Sequence, residues 1–389
     1  MKKVLLFSLL LVAGLALSQF LQGPAGDSLG AVREAVRLLT MACLAFIMIH
    51  VGYEFEIDRG NLRRYAVDYG VAATAAAFPW IFCALYFILV MYPPGAWQRL
   101  DTWKETLIVA RFAAPTSAGV LFSMLAAAGL SATWVFRKAR ILAIFDDLDT
   151  VLLMIPLKMV IVGVRWQLAV IVFIMIVLVW LAWRYLRRLR LPVSWPWVMC
   201  YAAAIALASE AIYRASKLLD DVVGIHIEVL LPAFVLGCML ARPAGHDPHA
   251  DDAREGHQEG PENPSEQRAA TRVSAVFMVL VGMSMPAVSV GGPGGLPWWA
   301  LLGHVVAITL LANLGKMFAL FCYRREVSWR ERLAVSIAMW PRGEVGAGIL
   351  VVSLSYGIAG PMVSVASLSL ALNLLATGLF ILIVKRLIA

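Results

Sequence analysis

Residues 111–119 read RFAAPTSAG, and residues 339–348 read MWPRGEVGAG. Each stretch sets a proline, small residues and an arginine inside an otherwise apolar segment. Pro115 and Pro341 each remove a backbone donor and clash with the turn before them, so both segments are predicted to break part-way across. Lipid offers no partners to the carbonyl and amide groups released there, which must face protein or a water-filled cavity. Working outward, apolar segments centred near Phe78, Thr116 and Leu152 surround the first break, and segments near Thr309, Gly346 and Leu372 surround the second. Polar, proline-interrupted segments in corresponding positions of two halves point to inverted repeats with a site at the midplane, the pattern of transporters.

The composition sets the surroundings. Of 389 residues, 61% are apolar and 15% charged, against roughly 45–50% and about 25% in soluble domains. A water-soluble globule is excluded. Six further apolar segments centre near Leu11, Leu44, Ile174, Ala203, Pro232 and Leu280. At roughly 20 residues per span, twelve segments leave no room for a large extramembrane domain. The expected fold is an all-α polytopic membrane protein of about 12 transmembrane helices, with two broken helices crossing at the midplane.

The net charge of +8 does not signal nucleic acid, because lysine and arginine collect in cytoplasmic loops of membrane proteins. With the amino terminus inside, 22 of the 33 basic residues fall in cytoplasmic segments and seven outside. Arg111, Lys158, Lys316 and Arg342 fall within spans. Both termini are expected in the cytoplasm, with the chain in a bacterial inner membrane. The first segment is read as a retained span, although Lys2, Lys3 and the apolar run after them also fit a signal peptide. Cys43, Cys83, Cys200, Cys238 and Cys322 show no metal or disulfide spacing and read as buried thiols. Residues 243–272, rich in acids and carrying His246, His249 and His257, cannot bury a core and are expected to form a disordered cytoplasmic loop.

Residues 141–156 read ILAIFDDLDTVLLMIP. A charge in a membrane-spanning segment is a functional hypothesis by default, and here Asp146, Asp147 and Asp149 stand within four residues. Neighbours on a helix point about 100° apart, so Asp146 and Asp147 address different partners in one cavity. Asp149 lies near the Asp146 face. Clustered carboxylates that cannot all ionise exchange protons near neutral pH, and they are also hard oxygen ligands for a small cation. A group that binds either a proton or a cation, but not both, couples the two fluxes. Residues 310–318, LLANLGKMF, add Lys316 as a counter-charge. A buried ammonium needs a partner, so Lys316 is expected to hold an aspartate and to release a proton when a cation takes that aspartate away.

The stretches FIMIHVGYEFE (46–56), PTSAGVL (115–121), AIFDDL (143–148), HIEVLLPAFVLGCML (226–240), FMVLVGMSM (277–285), GK (315–316) and PRGEVG (341–346) together resemble the monovalent cation:proton antiporter superfamily. Within it they are similar to the sodium/proton exchanger type, in the electrogenic branch with paired aspartates. The resemblance implies that Asp147 binds the ion, Na+, and the proton, and that Asp146 pairs with Lys316. It places Thr116 and Ser117 at the crossing of the broken helices, and Pro115, Pro341, Arg342 and Glu344 as their support. It also implies a homodimer in a lipid bilayer, an elevator-like motion, and no cofactor beyond the transported ions. The division it suggests is 1–65 as N-terminal helices of a dimerisation bundle, 66–163 as the first half of a core transport bundle, 164–242 as linker helix and dimerisation bundle, 243–272 as the loop, 273–292 as dimerisation bundle and 293–389 as the second half of the core. Asp149, Lys158 and Arg111 depart from the pattern as accessory charges; Lys158, eleven residues and about 16 Å from Asp147, is expected at an outer mouth.

The activity expected is exchange of a monovalent cation, Na+ before Li+ or K+, for H+. A K+ efflux system or gated cation channel of the same fold ranks second, because the sequence as given holds no cytoplasmic nucleotide-binding domain after the last span. An intramembrane prenyltransferase is set aside: its second aspartate cluster is missing, and Thr150 stands where its motif ends in aspartate.

Overall fold

The computed structural model describes residues 2–21, 30–54, 62–162, 166–219, 229–241, 264–284, 297–358 and 360–388. In chain order its helices are α1 (Lys2–Leu21), α2 (Gly30–Glu54), α3 (Leu62–Tyr86), α4 (Leu100–Ala110), α5 (Ala118–Ala127), α6 (Trp134–Val162), α7 (Trp166–Arg184), α8 (Trp195–Leu219), α9 (Leu230–Met239), α10 (Pro264–Met283), α11 (Trp298–Lys316), α12 (Trp329–Ala338), α13 (Glu344–Ser355) and α14 (Pro361–Ile388). Helices dominate because an apolar surround leaves backbone groups only intra-segment partners. Each of the twelve apolar centres lies in a helix or at a break between two. Among the described residues, six helical stretches are long and apolar enough to cross a membrane, including Leu100–Ala127 and Trp298–Phe321. One isolated bridge, Leu189 with Leu240, is the extended pairing among them.

The chain falls into two compact units. The first gathers residues 1–33, 61–157 and 278–389, and the second residues 34–60 and 158–277. In the first unit, α3 packs along α11, and α14 packs on α1, α11 and α12. The α3–α11 crossing is close because Gly315 has no side chain: a Cβ there would overlap the backbone and ring of Pro79. Two half-helices start at side-chain caps. Ser117 accepts from the Val120 amide to begin α5, and Ser328 with Glu331 forms a capping box that begins α12.

In the same unit, Lys138 of α6 donates to both Asp68 oxygens of α3, at 2.9 and 3.1 Å. The Tyr323 hydroxyl donates to Asp68 at 2.8 Å, and its ring lies under the ammonium at 4.4 Å. Lys138 is 3% exposed and Asp68 1%. By sequence Lys138 and Arg140 count among the basic residues of the cytoplasmic segments; both are buried, because the first turns of α6 pack against chain rather than water.

The second unit is held differently. Gly52 of α2 and Gly237 of α9 meet with no room for a Cβ on either, so these helices touch backbone to backbone. At the other end of α2, Glu34 pairs with Arg214 and Arg37 with Glu210, while Arg214 also holds Glu210 at 2.8 Å. The turn after α7 is pinned by Leu189 donating to Met239 at 2.9 Å and Ala241 donating to Leu189 at 2.8 Å.

Three features differ from the sequence reading. Residues 1–33 group with the unit that carries the breaks, since α1 packs on α14 and α5, instead of joining a bundle over 1–65. The loop expected over 243–272 ends earlier: α10 starts at Pro264 with Glu266 in its first turn, and both residues suit a helix start. Residues 242–263, with the three loop histidines, lie outside the described residues. Cys43, Cys83 and Cys238 are buried as expected, but Cys200 is exposed and Cys322 half-buried.

Candidate functional site

The breaks are assembled by satisfying each other's backbone. In the first, α4 tightens into a 3-10 turn over Arg111–Ala113, and the chain then runs through residues 114–117 before α5 begins. In the second, the chain runs through residues 339–343 between α12 and α13. The Thr116 hydroxyl donates to the Met339 carbonyl at 2.9 Å, and the Ser117 amide donates to the Pro341 carbonyl at 2.9 Å. Thr116 and Ser117 are thus at the crossing, beside Pro115 and Pro341.

Two buried cations complete the accounting. Arg342 donates from Nε to the Ala113 carbonyl at 2.9 Å, from Nη1 to the Trp340 carbonyl at 3.1 Å, and from Nη2 to the Ala312 carbonyl at 2.8 Å. Nη1 also meets Asn313 Oδ1 at 2.6 Å and Asn373 Oδ1 at 3.4 Å. Lys316, the last residue of α11, donates to the Ala114 carbonyl at 2.5 Å. Carbonyls at the end of a helix carry partial negative charge, so these cations do at the breaks what the next helical turn would otherwise do. Arg342 is fully buried, and its guanidinium spends its donors on carbonyls and amides, not on a carboxylate.

The carboxylates face this frame from α6. Lys316 Nζ lies 2.7 Å from Asp146 Oδ2, with both side chains fully buried. The same oxygen accepts the Thr116 amide at 2.8 Å, so Asp146 bridges α11 to the first break. Asp147, next along the helix, is 2% exposed. Asp149 meets Arg111: Arg111 Nη2 donates to the Asp149 carbonyl at 3.1 Å and stands 3.9 Å from carboxylate Oδ2. Two cation–aspartate pairs therefore flank Asp147 on one helix.

The transmembrane sodium/hydrogen exchanger family model matches residues 3–386. The chain belongs to the sodium/hydrogen exchanger family. A comparison with curated proteins returns no match. As a member of that family it is an integral membrane cation:proton antiporter and not an enzyme.

In this exchanger, Arg111, Thr116, Ser117, Asp146, Asp147, Asp149, Lys316 and Arg342 come together within the first unit. The side chains of Glu344 and Lys158 lie outside what the structure describes; Glu344 opens α13 and Lys158 belongs to α6. Sequence reasoning missed four contributors. Asn313 and Asn373 hold Arg342, Trp80 covers Arg111 at 4.7 Å, and the Tyr69 hydroxyl hydrogen-bonds the Asp149 carboxylate. The two asparagines carried a usable signal, a buried amide in an apolar helix, whereas Trp80 and Tyr69 look like ordinary residues of a membrane helix.

Proposed function

We propose that this exchanger moves a monovalent cation, sodium in preference to lithium or potassium, against protons, as an electrogenic homodimer whose first unit moves like an elevator. The reading rests above all on the fully buried Lys316–Asp146 contact of 2.7 Å, with buried Asp147 beside it. Desolvating two charges costs as much as their attraction returns, so a buried ion pair is a weak source of stability and a good switch.

In the cycle, Asp147 gives up its proton to one side and takes the dehydrated cation. The polar backbone around Thr116 and Ser117 supplies further oxygens. Asp146 then turns from Lys316 toward the site, and Lys316, without its partner, releases a proton. Thr116 keeps one hydrogen bond on Asp146, which limits how far that carboxylate swings. Arg342, Pro115 and Pro341 keep the broken helices in place throughout. Both termini face the cytoplasm of a bacterial inner membrane, and the second unit carries the dimer contact.

The test is proton flux in proteoliposomes, followed with a pH-sensitive dye, on stepwise addition of sodium, lithium and potassium. Cation-evoked flux in wild type and none in Asp147→Asn, with folding intact, is the expected result. Retained flux in Asp147→Asn would overturn the site assignment, and equal current with and without a sodium gradient would overturn electrogenicity.

A further inference from the structure

We infer that Arg111 and Asp149 form a fixed, self-neutralising ion pair that sets how tightly the neighbouring carboxylates hold the transported cation. This inference rests on the antiport reading above and deepens it. Arg111 is fully buried, and a guanidinium does not lose its proton in proteins. Its charge is therefore permanent and must be balanced on the spot. Two groups do so: Asp149, through its carbonyl at 3.1 Å and its carboxylate at 3.9 Å, and the Trp80 ring at 4.7 Å. The indole is itself held, donating to the Leu107 carbonyl at 2.7 Å, so the lid over Arg111 does not swing away.

The surroundings make this pair matter for the ion. Asp149 lies three residues beyond Asp146, one helical turn along the same face. Among the described residues, Arg111 Nε and Nη1, Asp149 Oδ2 and Asp146 Oδ1 are buried without a hydrogen-bond partner. Donors are thus left open on Arg111 and acceptors on Asp149 and Asp146. While Asp149 is present, its charge holds Arg111 off Asp146. Without it, an unbalanced guanidinium is drawn to the open Asp146 oxygen and competes with both Lys316 and the cation. Without Arg111, the Asp149 carboxylate loses its balancing charge near Asp147, and the added negative charge holds the cation harder.

Opposite signs are therefore expected from the two single variants. Asp149→Asn raises the cation KM about tenfold or more, as an unbalanced unit charge several ångströms away does at an effective dielectric near 20. Arg111→Met lowers KM and also lowers kcat, because release slows. Arg111→Met/Asp149→Leu, which removes both charges and keeps apolar volume, returns KM to within about threefold of wild type; exchanging a whole buried pair for apolar groups is commonly tolerated. The experiment measures cation KM and kcat for the four proteins in proteoliposomes, with the sodium-dependent shift of melting temperature in detergent as a second measure of binding. Shifts of KM in the same direction for both singles, a double variant as impaired as the worse single, or lost thermal stability with KM unmoved would overturn the inference. Wild type with neither flux nor a sodium-dependent shift would instead overturn the antiport reading, and this inference with it.

Discussion

Replacing Lys138 by methionine keeps the length of the side chain and removes its charge, leaving Asp68 stranded at 1% exposure. Breaking a buried ion pair from one side costs about 3–5 kcal/mol. Asp68 keeps one charge-assisted bond, from Tyr323 at 2.8 Å, worth about 1.5–3 kcal/mol, so the expected cost of Lys138→Met is near the lower end, about 3 kcal/mol. Asp68→Asn strands the ammonium less severely. Lys138 would keep the Tyr323 ring at 4.4 Å and the Glu326 carboxylate at 3.7 Å, and about 2 kcal/mol is expected. The double variant should cost clearly less than the two together, with a coupling of about 2 kcal/mol, since contacting charges are not independent. The assay is a double-mutant cycle on unfolding in detergent, followed by tryptophan fluorescence. Additive costs, or a Lys138→Met variant within about 0.5 kcal/mol of wild type, would refute the reasoning that this cluster joins α3, α6 and the segment after α11.

Gly315→Ala should push α3 and α11 apart, because the new Cβ meets Pro79 backbone rather than a flexible side chain; reduced thermal stability together with slower cation-evoked flux is expected, since Lys316 is the next residue. Arg342→Met leaves the Ala113, Trp340 and Ala312 carbonyls without that donor, and a loss of folded protein on size-exclusion chromatography is expected, whereas Asn313→Ala, which removes one bond to the guanidinium, should cost about 1.5–3 kcal/mol. Burial, and next the Asp68 carboxylate, push the Tyr323 hydroxyl above its ordinary value near 10, so folding favours its neutral form. That contribution is complete below about pH 10 and is lost as pH rises further; Tyr323→Phe should flatten the fall in melting temperature above pH 10.

Much of the architecture was legible before any coordinates. The prolines of RFAAPTSAG and MWPRGEVGAG marked both breaks, because each removes a backbone donor among small residues and an arginine in an apolar segment; Pro79 and Pro156, without that setting, lie inside helices that continue. The apolar centres fell in helices or at breaks, whereas α12, WRERLAVSIA, has no apolar centre of its own. Asp146 and Asp147 stood out as carboxylates that an apolar helix would not otherwise keep. The 243–272 loop was less legible at its end, since a helix start at Pro264 depends on two residues against an acidic background.

Pairing is where sequence gave way to tertiary structure. Lys316 lies 170 residues from Asp146, and its partnership came from family resemblance; no spacing rule connects them. Arg111 and Asp149, 38 residues apart, looked like two separate departures from a pattern, and folding turns them into one neutral pair. Lys138 looked like one basic residue among those of the cytoplasmic segments until packing buried it against Asp68. Local sequence determines where the backbone must break and where a charge is costly, since both follow from the residue and its immediate neighbours. Which distant group repays that cost is settled only when helices cross, because attraction between charges depends on distance and on the water excluded around them.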